Sequence, residues 1–135
     1  MTRLLNPVLT ALLLFSHSLP VYHSIAIMTQ YQYEFLVSIP DRPGVLPVRM
    51  SLRPRHLAKL GPRVEAGQVV FGGAMLSREP AKGEGPNVTG SVMLVKANSE
   101  DEVRQIILDD AYAADVWDLG KVTITPFKCA VRTAI

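Results

Sequence analysis

The stretch "TGSVMLVKANSEDEVRQIILDD", residues 89–110, decides the fold. Its first part, 89–98, is rich in β-branched and apolar residues and reads as a strand. Ser99 then stands three residues before Glu102. That is the spacing of a capping box, in which each side chain satisfies a backbone amide at a helix start. Val103, Ile106 and Ile107 form the apolar stripe of the helix that follows. Asp109 and Asp110 fall at its C-terminal end, where the helix dipole disfavours negative charge.

Upstream, "AMLSREPAKGEGPN", 74–87, is rich in Pro, Gly and charge and reads as a mobile connection. "QVVFGG", 68–73, is expected to be a strand that ends at its double glycine. Before it, Val48, Leu52 and Leu60 recur at multiples of helical spacing within "VLPVRMSLRPRHLAKLGPRVEAG", 45–67. Pro54 lacks a backbone donor and crowds the turn before it, so the helix is expected to start or kink near Ser51–Pro54. Pro62 predicts a second irregularity and Gly67 a C-terminal cap. "YEFLVSI", 33–39, alternates Phe35, Val37 and Ile39 against Glu34, Leu36 and Ser38, the period of a strand. Downstream, "KVTITPF", 121–127, reads as the last strand.

The order is therefore βαββαβ, an α+β class with ferredoxin-like arrangement: one antiparallel sheet with two helices on one face. One domain, 29–135, accounts for it. The second sheet face is expected to carry Leu36, Val70, Met93 and Val95. At about 25 cal/mol per Å2 of apolar surface, leaving such a face in water is costly. A homodimer joined through that face is expected, with any pocket between sheet and helices or at the seam.

Composition narrows the function. Of 135 residues, 48% are hydrophobic and 19% charged, as in a globular domain. A net charge of +2 gives no concentrated basic surface for nucleic acid. Arg49, Arg53, Arg55, Lys59 and Arg63 do cluster, and read as a solvated helix face. The single cysteine, Cys129, excludes an internal disulfide and a thiolate zinc site. It reads as a small apolar filler. No phosphate loop, metal set or nucleophile motif is present, so no cofactor is implied.

His56 is the one histidine outside the N-terminal apolar segment. An imidazole titrates near neutrality, which suits acid–base work, and Arg53 shares its helix face three residues earlier. A guanidinium there can hold a carboxylate, phenolate or enolate oxygen. The bland alternatives stand beside this reading. A lone histidine on a helix is often a surface or capping residue. Arg53 is equally an ion-pair partner of an acid, and Tyr112 and Trp117 are packing residues by default. Gly72 and Gly73 either turn the chain or let backbone amides approach a ligand.

Several pieces together resemble the YCII-related (YciI-like) family of dimeric α/β-barrel proteins. They are Arg53-Pro54-x-His56-Leu57, Gly72-Gly73, Gly90-Ser91, Asp110-x-Tyr112 and Pro126-Phe127, spread over about Tyr33 to Arg132. The long 74–89 loop and Val116-Trp117-Asp118 look closest to fungal members. The resemblance implies a His–Asp catalytic pair, here His56 and Asp110, with Arg53 beside it. It further implies a small-molecule ligand, met by Gly72, Gly73, Ser91 and Tyr112, and a homodimer. The family usually has Asp-Pro-Tyr where this chain has Asp110-Ala111-Tyr112, and Asp109 is an adjacent competitor for the acid's role. The implied function is a small cofactor-independent lyase, isomerase or dehydratase acting on an aromatic or polyketide-like metabolite in secondary metabolism. The alternative is a non-catalytic small-molecule-binding or accessory module.

Residues 1–28 form an apolar leader with one charge, Arg3. "VLTALLLF", 8–15, is too short for a stable membrane span, which needs about 20 residues. Three readings stay open. One is a start at Met28, giving a cytoplasmic chain. The others are a secretory leader and a mitochondrial transit segment.

Overall fold

The computed structural model describes residues 30–134. The leader and the choice of start therefore lie outside the described residues. No helix among the described residues is long and apolar enough to cross a membrane.

Strand β1 spans Tyr33–Pro40, helix α1 Leu46–Glu65, β2 Val69–Leu76, β3 Val88–Ala97, helix α2 Glu100–Asp109 and β4 Thr123–Phe127. A 3-10 turn at Leu119–Lys121 precedes β4. The sheet order is β2-β3-β1-β4, every neighbour antiparallel. This is the ferredoxin-like arrangement the element order predicts. Phe35, Val37 and Ile39 of β1 are buried in the core with Val103, Ile106 and Ile107 of α2.

The capping signal at α2 is literal. The Ser99 side chain accepts from the Glu102 amide at 3.1 Å, and Glu102 reaches back to the Asn98 amide at 2.8 Å, one residue before the cap. Helix α1 differs from expectation. It starts at Leu46, with Pro47 in its first turn, and runs through both Pro54 and Pro62. Both prolines are exposed, as are Met50 and Ala58, whose carbonyls lose their amide partners. Water can serve those carbonyls, so the cost of each proline falls on the solvent side. Gly67 follows the helix with φ of +70°, the left-handed conformation that its lack of a Cβ permits.

Two further expectations are corrected. The double glycine does not end β2, because the strand continues to Leu76. Met93 and Val95 do not lie on the second face. They pair with Val37 and Phe35 and join the helix-covered core, whereas Leu36 pairs with Leu94 on the other side. The reason is the two-residue period: Met93 and Val95 must share a face with whichever β1 residues stand opposite them. A register shift between Val69 and Phe71 also places Val70 in an irregularity. The second face thus carries Leu36, Val92, Leu94, Phe71 and Phe127.

Candidate active site

Helix α1 presents Arg49 and His56 two turns apart toward the sheet and the segment after α2. That segment begins with an Asx turn. The Asp110 Oδ1 accepts from the Tyr112 amide at 2.9 Å, which aims the carboxylate. The turn holds with Ala111 in place of the family's proline. His56 Nδ1 lies 2.8 Å from both Asp110 oxygens, the side chains being 12% and 5% exposed. A carboxylate can only accept, so Nδ1 carries the proton toward it and Nε2 is left as the basic nitrogen. No side chain among the described residues hydrogen-bonds Nε2. Asp109, the competitor, is exposed and pairs with Lys59 at 3.4 Å and Arg63 at 3.2 Å. Those two cations hold its carboxyl below the usual range.

Rings fix the imidazole as well. His56 stacks on Tyr112 with centroids 4.0 Å apart and 13° between planes. Trp117 meets both rings edge-on, at 5.9 Å from His56 and 5.6 Å from Tyr112. Burial raises the Tyr112 phenol, with Arg49 and Arg53 opposing it.

Sequence reasoning missed a second polar group beside these rings. Arg49 Nη1 donates to both Asp41 oxygens, at 2.7 and 2.9 Å, and its Nη2 donates to Ser91 Oγ at 2.9 Å. Its guanidinium carbon lies 4.7 Å from the Tyr112 ring centroid. Trp117 Nε1 also donates to Ser91 Oγ, at 3.1 Å. Burial raises the Asp41 carboxyl despite this pairing, so desolvation outweighs the guanidinium in setting its acidity. Asp41 sits just past β1 and forms an isolated bridge with Trp117, which carries the indole to the same place. The signal available in the sequence was Arg49 seven residues before His56, two helical turns and so one face. Its charge led instead to a solvated reading.

The structure does not bring every candidate together. Arg53 is exposed and has no ion-pair partner among the described residues, although its charge reaches the Tyr112 phenol. Gly72 stands opposite Met93 on the helix-covered face, but Gly73 stands opposite Val92 on the other, so only Gly72 shares the face of His56. Ser91 lies within the polar group, and Tyr112 is packed beneath the imidazole. A cavity of about 680 Å3 lies away from these residues, lined in part by Tyr31, Tyr33, Lys96 and Phe127. Among the described residues, no group of three or more His, Cys, Asp or Glu side chains could hold a metal ion.

Comparison with known proteins bears on the family and the fold. The YCII-related domain model matches residues 33–128. "Fusaric acid biosynthesis protein 2" of Gibberella fujikuroi is 44% identical over 96 residues, covering 70% of this chain and 92% of the relative. "Aspartate kinase FUB3" of Fusarium oxysporum is 44% identical over 98 residues, and this chain spans only 18% of its length. Among solved structures, the 5-chloro-2-hydroxyhydroquinone dehydrochlorinase (TftG) of Burkholderia phenoliruptrix AC1100, in complex with 2,5-dihydroxybenzoquinone, superposes with a TM-score of 0.59 at 29% identity. That match covers 70% of this chain and 93% of the other. With a family model that spans most of its described residues and a fold that follows, the chain belongs to the YCII-related family.

Proposed function

We propose that this protein is a small enzyme that moves a proton on an oxygenated aromatic or polyketide-like metabolite, with His56 Nε2 as the general base and acid. The observation that carries this is the buried Nδ1–carboxylate contact at 2.8 Å, which leaves the other ring nitrogen basic and unengaged. Nε2 takes a proton from carbon or oxygen next to a carbonyl. The electron pair moves onto the oxygen, and the proton returns to another carbon or to a leaving group. That sequence covers isomerisation, dehydration and elimination, and it needs no group beyond these side chains. Arg53, exposed but close enough for its charge to act on the Tyr112 phenol, supplies longer-range positive charge for the developing oxyanion. Gly72 and Tyr112 line the ligand's side. The solved relative's dehydrochlorinase name and quinone ligand support an aromatic substrate class. The biosynthetic relative supports a place in secondary metabolism. A second copy of the chain covers the apolar sheet face of Leu36, Phe71 and Phe127, which sedimentation of the protein as a dimer would test.

The experiment uses 2,5-dihydroxybenzoquinone as probe. Binding is followed by quenching of Trp117, the one tryptophan. Turnover is followed by deuterium exchange of the probe's ring protons in D2O. His56→Ala should bind the probe within about threefold of wild type and lose roughly a hundredfold to ten-thousandfold of the exchange rate, the usual scale of general acid–base catalysis. Saturable binding with no exchange above buffer would instead assign the protein to the non-catalytic binding class.

A further inference from the structure

Asp109 is the last residue of helix α2, where unpaired carbonyls and the helix dipole disfavour an acid. Two cations of helix α1 offset this. Lys59 Nζ lies 3.4 Å from Asp109 Oδ1, and Arg63 Nη2 lies 3.2 Å from its Oδ2. Arg63 is itself held. Its Nη1 donates to Gln68 Oε1 at 2.8 Å, and the Gln68 amide donates back to the Arg63 carbonyl at 2.9 Å. Gln68 is 7% exposed, and its Nε2 donates to Glu102 Oε1 at 3.4 Å, near the other end of α2. The guanidinium is therefore an oriented fork rather than a free surface charge. Asp110, the next residue, has already left the helix, with φ of −76° and ψ of 149°. Its Asx turn aims the carboxylate, but the place of that turn depends on the last residue of α2. Helix α1 grips the place at two points on one face: His56 on Asp110 and, two turns on, Arg63 on Asp109. An ion pair this exposed adds little to stability. What it fixes is a separation, and a drift of about 1 Å would take the 2.8 Å Nδ1 contact out of hydrogen-bond range.

We propose that Asp109 is a positioning residue: gripped by Arg63 and Lys59, it holds the turn at the distance from α1 at which the Asp110 carboxylate keeps the ring proton of His56 on Nδ1. This rests on the proton-transfer reading above and adds to it a residue that acts only through Asp110. The acid that reads from the sequence as the competitor of Asp110 is its support.

The test compares wild type with Asp109→Ala, Asp109→Asn and Asp109→Glu. Alanine removes an acid from a helix end that disfavours it, which offsets the lost ion pairs, so Asp109→Ala should fold and melt near wild type. A merely structural role would then leave the imidazole 15N shifts unchanged. Asp109→Ala should instead show proton population moving from Nδ1 to Nε2. At saturating 2,5-dihydroxybenzoquinone its deuterium exchange should be roughly 10- to 100-fold slower, the scale for a misplaced catalytic group. Probe affinity should stay within about threefold of wild type, so that the loss falls on turnover rather than on binding. Asp109→Asn, which keeps the size and removes the charge, should behave in the same way and serves if the alanine variant melts early. Asp109→Glu, which keeps the charge within reach of both cations, should recover most of the rate and the native tautomer. Native 15N shifts and wild-type exchange in a folded Asp109→Ala or Asp109→Asn protein overturn the inference and leave the role of His56 standing. Wild type that shows no exchange above buffer overturns the enzymatic reading alone. The 15N shifts of the Asp109 variants then decide the positioning role, altered shifts supporting it and native shifts overturning it.

Discussion

Replacing Asp110 by asparagine isolates what its charge does. The asparagine Oδ1 can still accept from the Tyr112 amide, a 2.9 Å bond in the native turn, so the backbone is kept. The amide nitrogen, however, can only donate. With Oδ1 taken up by the Tyr112 amide, the amide nitrogen that replaces Oδ2 faces Nδ1 of His56 and favours the tautomer in which Nδ1 accepts and Nε2 carries the ring proton. A hydrogen bond to a charged group contributes about 1.5–3 kcal/mol and a neutral one about 0.5–1.5 kcal/mol, so the exchange costs about 1 kcal/mol. For a domain of this size that lowers the melting temperature by about 4–8 °C. Asp110→Ala removes the turn bond too and leaves Nδ1–H in a position only 12% exposed, so its loss is larger, about 2–4 kcal/mol. Thermal melts give the stabilities, and imidazole 15N shifts report which ring nitrogen bears the proton. Asp110→Asn with an unchanged melt and Nε2 still unprotonated would refute the argument that the carboxylate sets the tautomer.

Arg49→Ala strands the 5%-exposed Asp41 carboxylate without its partner and should cost about 3–5 kcal/mol by denaturant titration. The double variant Arg49→Met with Asp41→Leu should recover most of that loss. Gly90→Ala would place a Cβ 2.5 Å from the Ile39 carbonyl oxygen, which the β1–β3 pairing fixes, and should cost about 1–3 kcal/mol. Gly72→Ala meets a flexible Met93 carbon at 3.3 Å and the Val92 carbonyl oxygen at an ordinary 3.7 Å, and should melt closer to wild type. The Glu34 carboxyl is held below its ordinary value of 4.5, chiefly by the Cys129 amide and also by Arg132. A depressed carboxyl stabilises fully above 4.5 and loses that contribution as pH falls through its lowered folded-state value. The Cys129 amide resonance should therefore titrate in that acid window, and the step should vanish in Glu34→Gln.

The fold was legible because period, caps and element order all agreed. β1 alternates over its whole length, α2 announces its start with Ser99 and Glu102, and six elements in that order leave few topologies. The length of α1 was not legible, because proline's local penalty says nothing about whether the orphaned carbonyl faces water. Nor was the face of Met93 and Val95, which depends on long-range register rather than on their own spacing. At the site, His56 and Asp110 were identified through family resemblance, and the structure brings them into contact. Arg49 and Asp41 were missed because a charged residue reads as exposed until a buried partner from another element is known. Arg53, the better-placed candidate by spacing, lies on the exposed side of the same helix.

The three-residue turn at Asp110–Tyr112 supplies two of the three restraints on His56, a carboxylate at its edge and a ring on its face, with Trp117 edge-on as the third. The direction of the imidazole is thus written chiefly into one short peptide rather than dispersed over the domain. Lengthening that peptide by a single residue would uncouple the two restraints at once. Grafting it whole onto another scaffold of this topology, by contrast, would carry the orientation with it.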